Sequence, residues 1–184
     1  PLYAGATALE EEFIYDSKGT LTFALSVHAA QVAVDIHSGN YQVVDYYILH
    51  DTGRMLNAMI VEGQIIGGAV DGMGCAMLSE LRYNEDGQLL SGTLADYLVM
   101  AAMEVPTIRL DHLQTTPTTN PLGVRGVGEG SVLPAAPAIV GAIARVAGTL
   151  PIEREKNLFS VPVDPASVLR AIGGCRVASH ANPS

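Results

Sequence analysis

The chain has 184 residues, 48% of them hydrophobic and 16% charged, with a formal net charge of −9. That is enough for one domain, or part of a larger one, with a real core, and it argues against disorder. The acidic balance argues against nucleic acid or an anionic membrane as partner, and charge this sparse points to a surface covered by other protein.

Residues 1–12 are a short apolar piece ending in Glu10-Glu11-Glu12, read as a solvated face. Phe13 to Thr20 reads as a strand closing in the turn Asp16-Ser17-Lys18-Gly19. Leu21 to Ile36 is β-rich, with Leu25, Val27 and Ala29 on one alternating set and Val32, Val34 and Ile36 on the next. The change of phase at Ala30-Gln31 predicts a bulge. His37-Ser38-Gly39-Asn40 is a turn signal and Tyr41 to Leu49 a second strand, so the pair predicts a β-hairpin. His28, inside the first strand, is read as a hydrogen-bonded structural residue rather than a ligand.

His50 to Asn57 is polar and turn-prone and links the hairpin to a helix. Met59, Ile66, Val70, Met73, Met77 and Leu81 recur at helical spacing and predict its buried face. The same segment holds Gly63, Gly67, Gly68, Gly72 and Gly74, each costing about 1 kcal/mol against alanine in a helix interior. They are accounted for by close helix packing or by a flat cofactor lying against the helix. Glu80 to Tyr83 and Gln88 to Gly92 flank the turn Asn84-Glu85-Asp86-Gly87, a strand–turn–strand. Thr93 to Met103 is mixed, with a short helix near Asp96-Tyr97, and Pro106 opens a strand over Thr107 to Gln114.

The polar loop Thr115 to Thr119 feeds Asn120-Pro121-Leu122-Gly123-Val124-Arg125-Gly126-Val127-Gly128-Glu129-Gly130, with four glycines and one carboxylate. A helix follows over Ser131 to Val146, its first true turn after Leu133 because of Pro134 and Pro137. Ile139, Val140, Ile143 and Val146 are its expected buried side and Gly148 its C-cap. Asp164 caps a short helix from Pro165 through Val168, Leu169 and Ile172, and residues 174–184 read as a flexible tail behind a single unit over 1–173.

Cys75 and Cys175, with no Cys-x-x-Cys, give neither a disulfide framework nor a zinc site, so a reduced, cytoplasmic setting is the default. The five histidines form no close ligand pair, so no protein metal ligands are assigned. No apolar run reaches membrane-spanning length. Pro1-Leu2-Tyr3-Ala4-Gly5 lacks the basic start and long apolar stretch of a signal peptide, and the missing initiator Met is read as a processed or cut end.

A carboxylate between glycines at a helix start is well placed to serve as a general base, although a Glu in such a loop is more often solvated surface. A phosphate cradle of the Walker type is excluded, because no Lys-Ser or Lys-Thr pair follows the glycines. Beyond spacing, Asn120 to Glu129 resembles the active-site segment of the molybdenum hydroxylases, the family of xanthine dehydrogenase, aldehyde oxidase and the aerobic carbon monoxide dehydrogenase large chain. Asp51-x-Gly53-Arg54-x-x-Asn57, followed by Val61-Glu62-Gly63-Gln64-Ile65-x-Gly67-Gly68, resembles the family's other signature. Ala58 stands where proline is common and Asp71 where glutamine is common. Val161 to Ile172 resembles the usual end of family members.

The resemblance implies an α+β fold, with β-hairpins and a mixed sheet packed with a glycine-rich helix and a second C-terminal helix. It implies the C-terminal part of a molybdopterin-binding subunit that oxidises a small molecule with water as oxygen source. Glu129 would be the general base beside molybdenum. Gln64, with Gly63, Val127 and Gly128, would bind the molybdopterin, expected in its cytosine dinucleotide form. Two cysteines cannot hold an iron–sulfur cluster, so 2Fe-2S clusters and FAD are expected on other chains or segments. The expected partners are the rest of the subunit and iron–sulfur and flavin subunits in an oligomer. A non-catalytic piece, or a reductive member of the hydroxybenzoyl-CoA reductase type, remains the alternative.

Overall fold

The structure is a computed structural model that describes residues 12, 14, 22–146, 148 and 160–180, with side chains of the last helix as far as Ile172. The strand expected over 13–20 falls, apart from Ile14, outside the described residues. Six elements follow in order: β1 Leu25–Val34, β2 Tyr41–Asp51, α1 Ala58–Met77, β3 Thr107–Leu113, α2 Ala135–Val146 and α3 Pro165–His180.

The hairpin forms as expected. β1 and β2 pair antiparallel, and the register shifts between Gln31 and Val32, one residue from the expected break. β3 adds to the other side of β2 in parallel, with Tyr46 beside Ile108 and His50 beside His112. The result is a mixed three-stranded sheet in the order β1-β2-β3. β2 runs two residues beyond Leu49, because Asp51 is held at its end by bonds described below. The strand–turn–strand over 80–92 reduces to one bridge, Tyr83 to Leu89, closed by Asn84 Oδ1 accepting from the N–H groups of Asp86 and Gln88. Residues near Asp96-Tyr97 form a turn, with Tyr97 N–H donating to Thr93 O at 2.8 Å.

Period-two alternation gives the sheet two different faces. Tyr46 and Ile48 point inward and are buried with Ile65, Ala69 and Met73 of α1, Ile139 and Ile143 of α2, and Val168 of α3. Burial of each large aliphatic side chain is worth about 1.5–3 kcal/mol. The outer face keeps Leu25, Val27 and Tyr47 at 62%, 65% and 41% exposure.

α1 starts where Asn57, in an extended conformation, accepts from Ile60 N–H at 3.2 Å. Its buried residues are Val61, Ile65, Ala69, Gly72, Met73, Gly74 and Ala76; of the expected stripe Met73 is buried and Met77 packs against the core, but Met59, Ile66 and Leu81 are exposed. Met59 is 77% exposed. The helix is apolar around most of its girth, so period alone offered two overlapping stripes, and the one with small residues won because α2 comes close. A Cβ on Gly72 would lie 2.4 Å from the Val132 carbonyl oxygen and 2.7 Å from the Ala135 Cβ.

α2 begins after Leu133, as expected, and buries Ile139 and Ile143, but Val146 is exposed. Gly148 closes it at φ 71°, donating to Arg145 O. Asp164 caps α3, with Oδ1 accepting from Ser167 N–H at 2.7 Å and Oδ2 from Ser167 Oγ at 2.9 Å. The helical backbone continues to His180, taking in Gly173 and Gly174 rather than ending at Ile172.

Candidate functional site

The two signature segments are joined through backbone. Gly53 and Val124 form an antiparallel bridge, with Arg54 N–H donating to Gly123 O at 2.8 Å and Arg125 N–H to Thr52 O at 2.7 Å. Asn120 makes the loop rigid from within, donating through Nδ2 to Val124 O and accepting Val124 N–H at Oδ1.

Beneath that bridge sits Asp51, 2% exposed. Its Oδ1 accepts from Gly53 N–H at 2.9 Å and Thr115 N–H at 3.0 Å, with Arg125 Nε at 3.9 Å. Burial works to raise this carboxyl, but the two N–H donors and the Arg125 guanidinium outweigh it and hold it below the usual range. Arg125 also donates from Nε to Thr115 O at 3.0 Å and from its terminal nitrogen to Phe23 O. The loop is thus braced by a buried ion pair, a feature the sequence reading did not single out.

The inner face of the sheet changes character at the same end. Ser26, His28, His50 and His112 occupy positions that elsewhere on that face are apolar, and Ser131 meets them from the turn ahead of α2. His28 behaves as the structural histidine expected: Nδ1 lies 2.8 Å from Tyr46 Oη and Nε2 2.8 Å from Ser26 Oγ. Ser26 Oγ in turn lies 3.1 Å from His50 Nδ1. Tyr46 is fully buried, so this hydrogen-bonded chain starts in the core. Burial, and then the neighbouring His50, push the His28 imidazole down to about 4. Burial, and then His112, lower His50 against the pull of Asp51. Among the described residues, no group of three or more His, Cys, Asp or Glu side chains is arranged to hold a metal ion.

Of the expected site residues, Gln64 and Gly63 lie on the exposed side of α1, and Gly128 and Glu129 are exposed in the loop before α2. Val127 is half-buried against the core. The elements that carry them adjoin. A Cβ on Gly68, one turn after Gln64, would meet Val132 and Ser131 at 3.4–3.5 Å. Glu129 O accepts Val132 N–H at 3.1 Å, turning the chain into α2. Three of the molecule's cavities, of about 410, 450 and 190 Å³, have neither Gln64 nor Glu129 in their walls, although Gly67 lines the smallest; both side chains stand exposed at the edge outside them.

That edge has the character a large planar, anionic cofactor requires. A Cβ at Gly63, Gly67, Gly126 or Gly128 would meet nothing within 4 Å among the described residues. No acceptor among the described residues takes the N–H groups of residues 126–130, and the Gln64 carboxamide has no partner there. Successive free N–H groups ahead of a helix are donors for an anion, and a carboxamide both donates and accepts. The residues therefore fit such a group.

A family model described as "Molybdopterin cofactor-binding domain" matches residues 3–106. The chain belongs to this family, within the molybdenum hydroxylases. It is 35% identical over 145 residues to the carbon monoxide dehydrogenase large chain of Hydrogenophaga pseudoflava, covering 77% of this chain and 18% of that one. Among solved structures it resembles quinoline 2-oxidoreductase from Pseudomonas putida 86, with 35% identity, a TM-score of 0.69, and 79% and 18% coverage. It also resembles the Cu,Mo-CO dehydrogenase in its carbon monoxide reduced state, with 25% identity, a TM-score of 0.74, and 84% and 19% coverage. The chain spans about a fifth of the length of these relatives. Their architecture agrees with the α+β mixed sheet expected from sequence. Among the described residues, no helix is long and apolar enough to cross a membrane.

Proposed function

We propose that this chain supplies one wall of the active site of a molybdenum hydroxylase that oxidises a small molecule with water as the oxygen source. The observation that carries the reading is the bare edge where the Gln64 side of α1 adjoins the Gly126–Glu129 loop. It belongs to a chain of the molybdopterin-binding family.

When bound, the molybdenum–pterin group supplies the redox chemistry at the substrate carbon. The chain's own residues have three tasks. Gln64 donates to and accepts from the pterin edge. Gly63, Gly67 and Gly128 let backbone approach it, with Val127 anchoring the loop in the core. Glu129 accepts the proton released as water is activated, then returns it to solvent, a role its exposed position at the site edge permits. The relatives' names, a carbon monoxide dehydrogenase and a quinoline oxidoreductase, put carbon monoxide and N-heterocycles among the candidate substrates. The cytosine dinucleotide form of the cofactor, and 2Fe-2S and FAD groups on companion chains that take the electrons onward, complete the proposal. The exposed apolar outer face of the sheet supports a setting within a larger assembly.

In the full-length holoenzyme, Glu129→Gln is expected to keep fold and molybdenum content but to lower turnover by at least ~10², the scale of a general base. Near-normal steady-state rates with full metal loading would remove Glu129 from this role.

A further inference from the structure

The Glu129 loop rests on a buried imidazole. His50 is fully buried at the end of β2, and its Nδ1 lies 3.1 Å from Ser26 Oγ and 3.4 Å from Ser131 Oγ. A Cβ on Gly130, the residue after Glu129, would lie 2.8 Å from His50 Cε1 and 3.4 Å from Nε2. Ser131, the next residue, is itself fully buried against the same ring.

The ring is held from below. Ser26 ties it to His28, and His28 to the fully buried Tyr46, so the hydrogen-bonded chain reaches from the centre of the core to the loop. The ring is the far end of a side chain, but it is fully buried and tethered at Nδ1 by Ser26 and Ser131. His50 Nε2, Thr52 Oγ1 and His112 Nδ1 are all buried without a hydrogen-bond partner. Thr52 lies just beyond the end of β2, two residues after His50, and His112 is the neighbour of His50 on β3. An aliphatic residue at position 50 would pack the same space without leaving a buried ring nitrogen unpaired. Packing alone therefore does not account for a histidine here.

We propose that His50 is a positioning residue for Glu129: its imidazole, anchored through Ser26, is the floor that fixes the Gly128–Ser131 turn and so sets where the Glu129 carboxylate stands. This rests on the reading of Glu129 as proton acceptor. His50 itself does not touch the reacting atoms.

The contact can be tested by suppression in the full-length holoenzyme. Gly130→Ala drives a Cβ into the ring, must lift the turn, and is expected to lower kcat by about 10²-fold with KM and molybdenum content unchanged, the scale of an ångström-sized misplacement. Adding His50→Ala removes the obstacle and is expected to recover kcat by about 10-fold or more, although His50→Ala alone lowers kcat. A second readout does not depend on turnover. The Val132 amide, bonded to Glu129 O, should exchange faster in His50→Ala while the sheet amides of β2 stay protected. Should His50→Ala not accumulate as folded protein, His50→Gln replaces it, since a flexible chain yields to the new Cβ. Full activity in Gly130→Ala overturns the proposal. So does a double variant that folds, holds molybdenum and shows no recovery, or unchanged exchange at the Val132 amide. Normal turnover in Glu129→Gln sinks the Glu129 assignment instead and leaves the exchange result to report on the loop.

Discussion

The two sides of α1 use glycine for opposite purposes. On the side toward α2, Gly72 lies so close to Val132 and Ala135 that a methyl group would collide with backbone. On the other side, Gly63 and Gly67 face nothing within 4 Å, and Gln64 stands between them. Two causes therefore act in one helix. The first is intramolecular packing, which pays for the lost helix propensity with close contact. The second has no compensating contact among the described residues, which leaves room for something to dock there.

The largest effect should come from breaking the packed side. Gly72→Ala puts Cβ 2.4 Å from the Val132 carbonyl oxygen, and α1 and the start of α2 must separate. Overpacking of this kind typically costs 1–3 kcal/mol, more than the roughly 1 kcal/mol that alanine returns in helix propensity. Chemical denaturation of the variant should show a clear loss of stability. An unchanged midpoint would mean that the two helices do not meet as described.

A smaller effect should mark the polar end of the same packed side. His28 is pushed down from its ordinary 6.5 to about 4, so it binds fewer protons folded than unfolded between those values. Stability rises with pH wherever the unfolded state binds more protons. The contribution of neutral His28 is therefore fully present above pH 6.5 and is lost as pH falls from there through about 4. The melting temperature should decline over that window, and the decline should be shallower in His28→Asn. Identical slopes for the two proteins would show that the Tyr46–His28–Ser26 chain carries no such linkage.

Much of the fold was legible because local signals agreed with the tertiary outcome. Alternation through Leu25 to Val34 and Tyr41 to Leu49 gave the hairpin and its bulge, and Asp164 before Pro165 gave a cap. The buried face of α1 was not legible, because Met59 and Ile66 advertise burial by type, yet contact distance selected Ala69 and Gly72. His50-Asp51-Thr52 read as a polar link because each residue is polar, whereas all three are buried. What makes that tolerable is long-range, namely donors from Thr115 and Arg125 and a seat beneath Ser131, and no local window contains those partners. The signal that could have exposed it is the conflict itself: three polar residues directly continuing a strand that is apolar up to Leu49. For the site, Gln64 and Glu129 came from motif resemblance. The adjacency of their elements depends on Gly68 meeting Ser131 and Val132, a contact between positions more than 60 residues apart.

The smallest expected change is the most diagnostic. Gly67→Ala adds a methyl group into open space on a helix interior, with no strained backbone at that position. Alanine is better than glycine there by about 0.8–1.0 kcal/mol, so the chain without cofactor should become slightly more stable. In the holoenzyme the same methyl group would stand where a planar cofactor approaches the helix beside Gln64. Molybdenum and pterin content should then fall although the protein is more stable, a pairing that a purely structural glycine cannot produce. A variant gaining stability while retaining full cofactor would show that the bare side of α1 faces something other than the pterin. Gly72→Ala, by contrast, should lose stability whether or not cofactor is present.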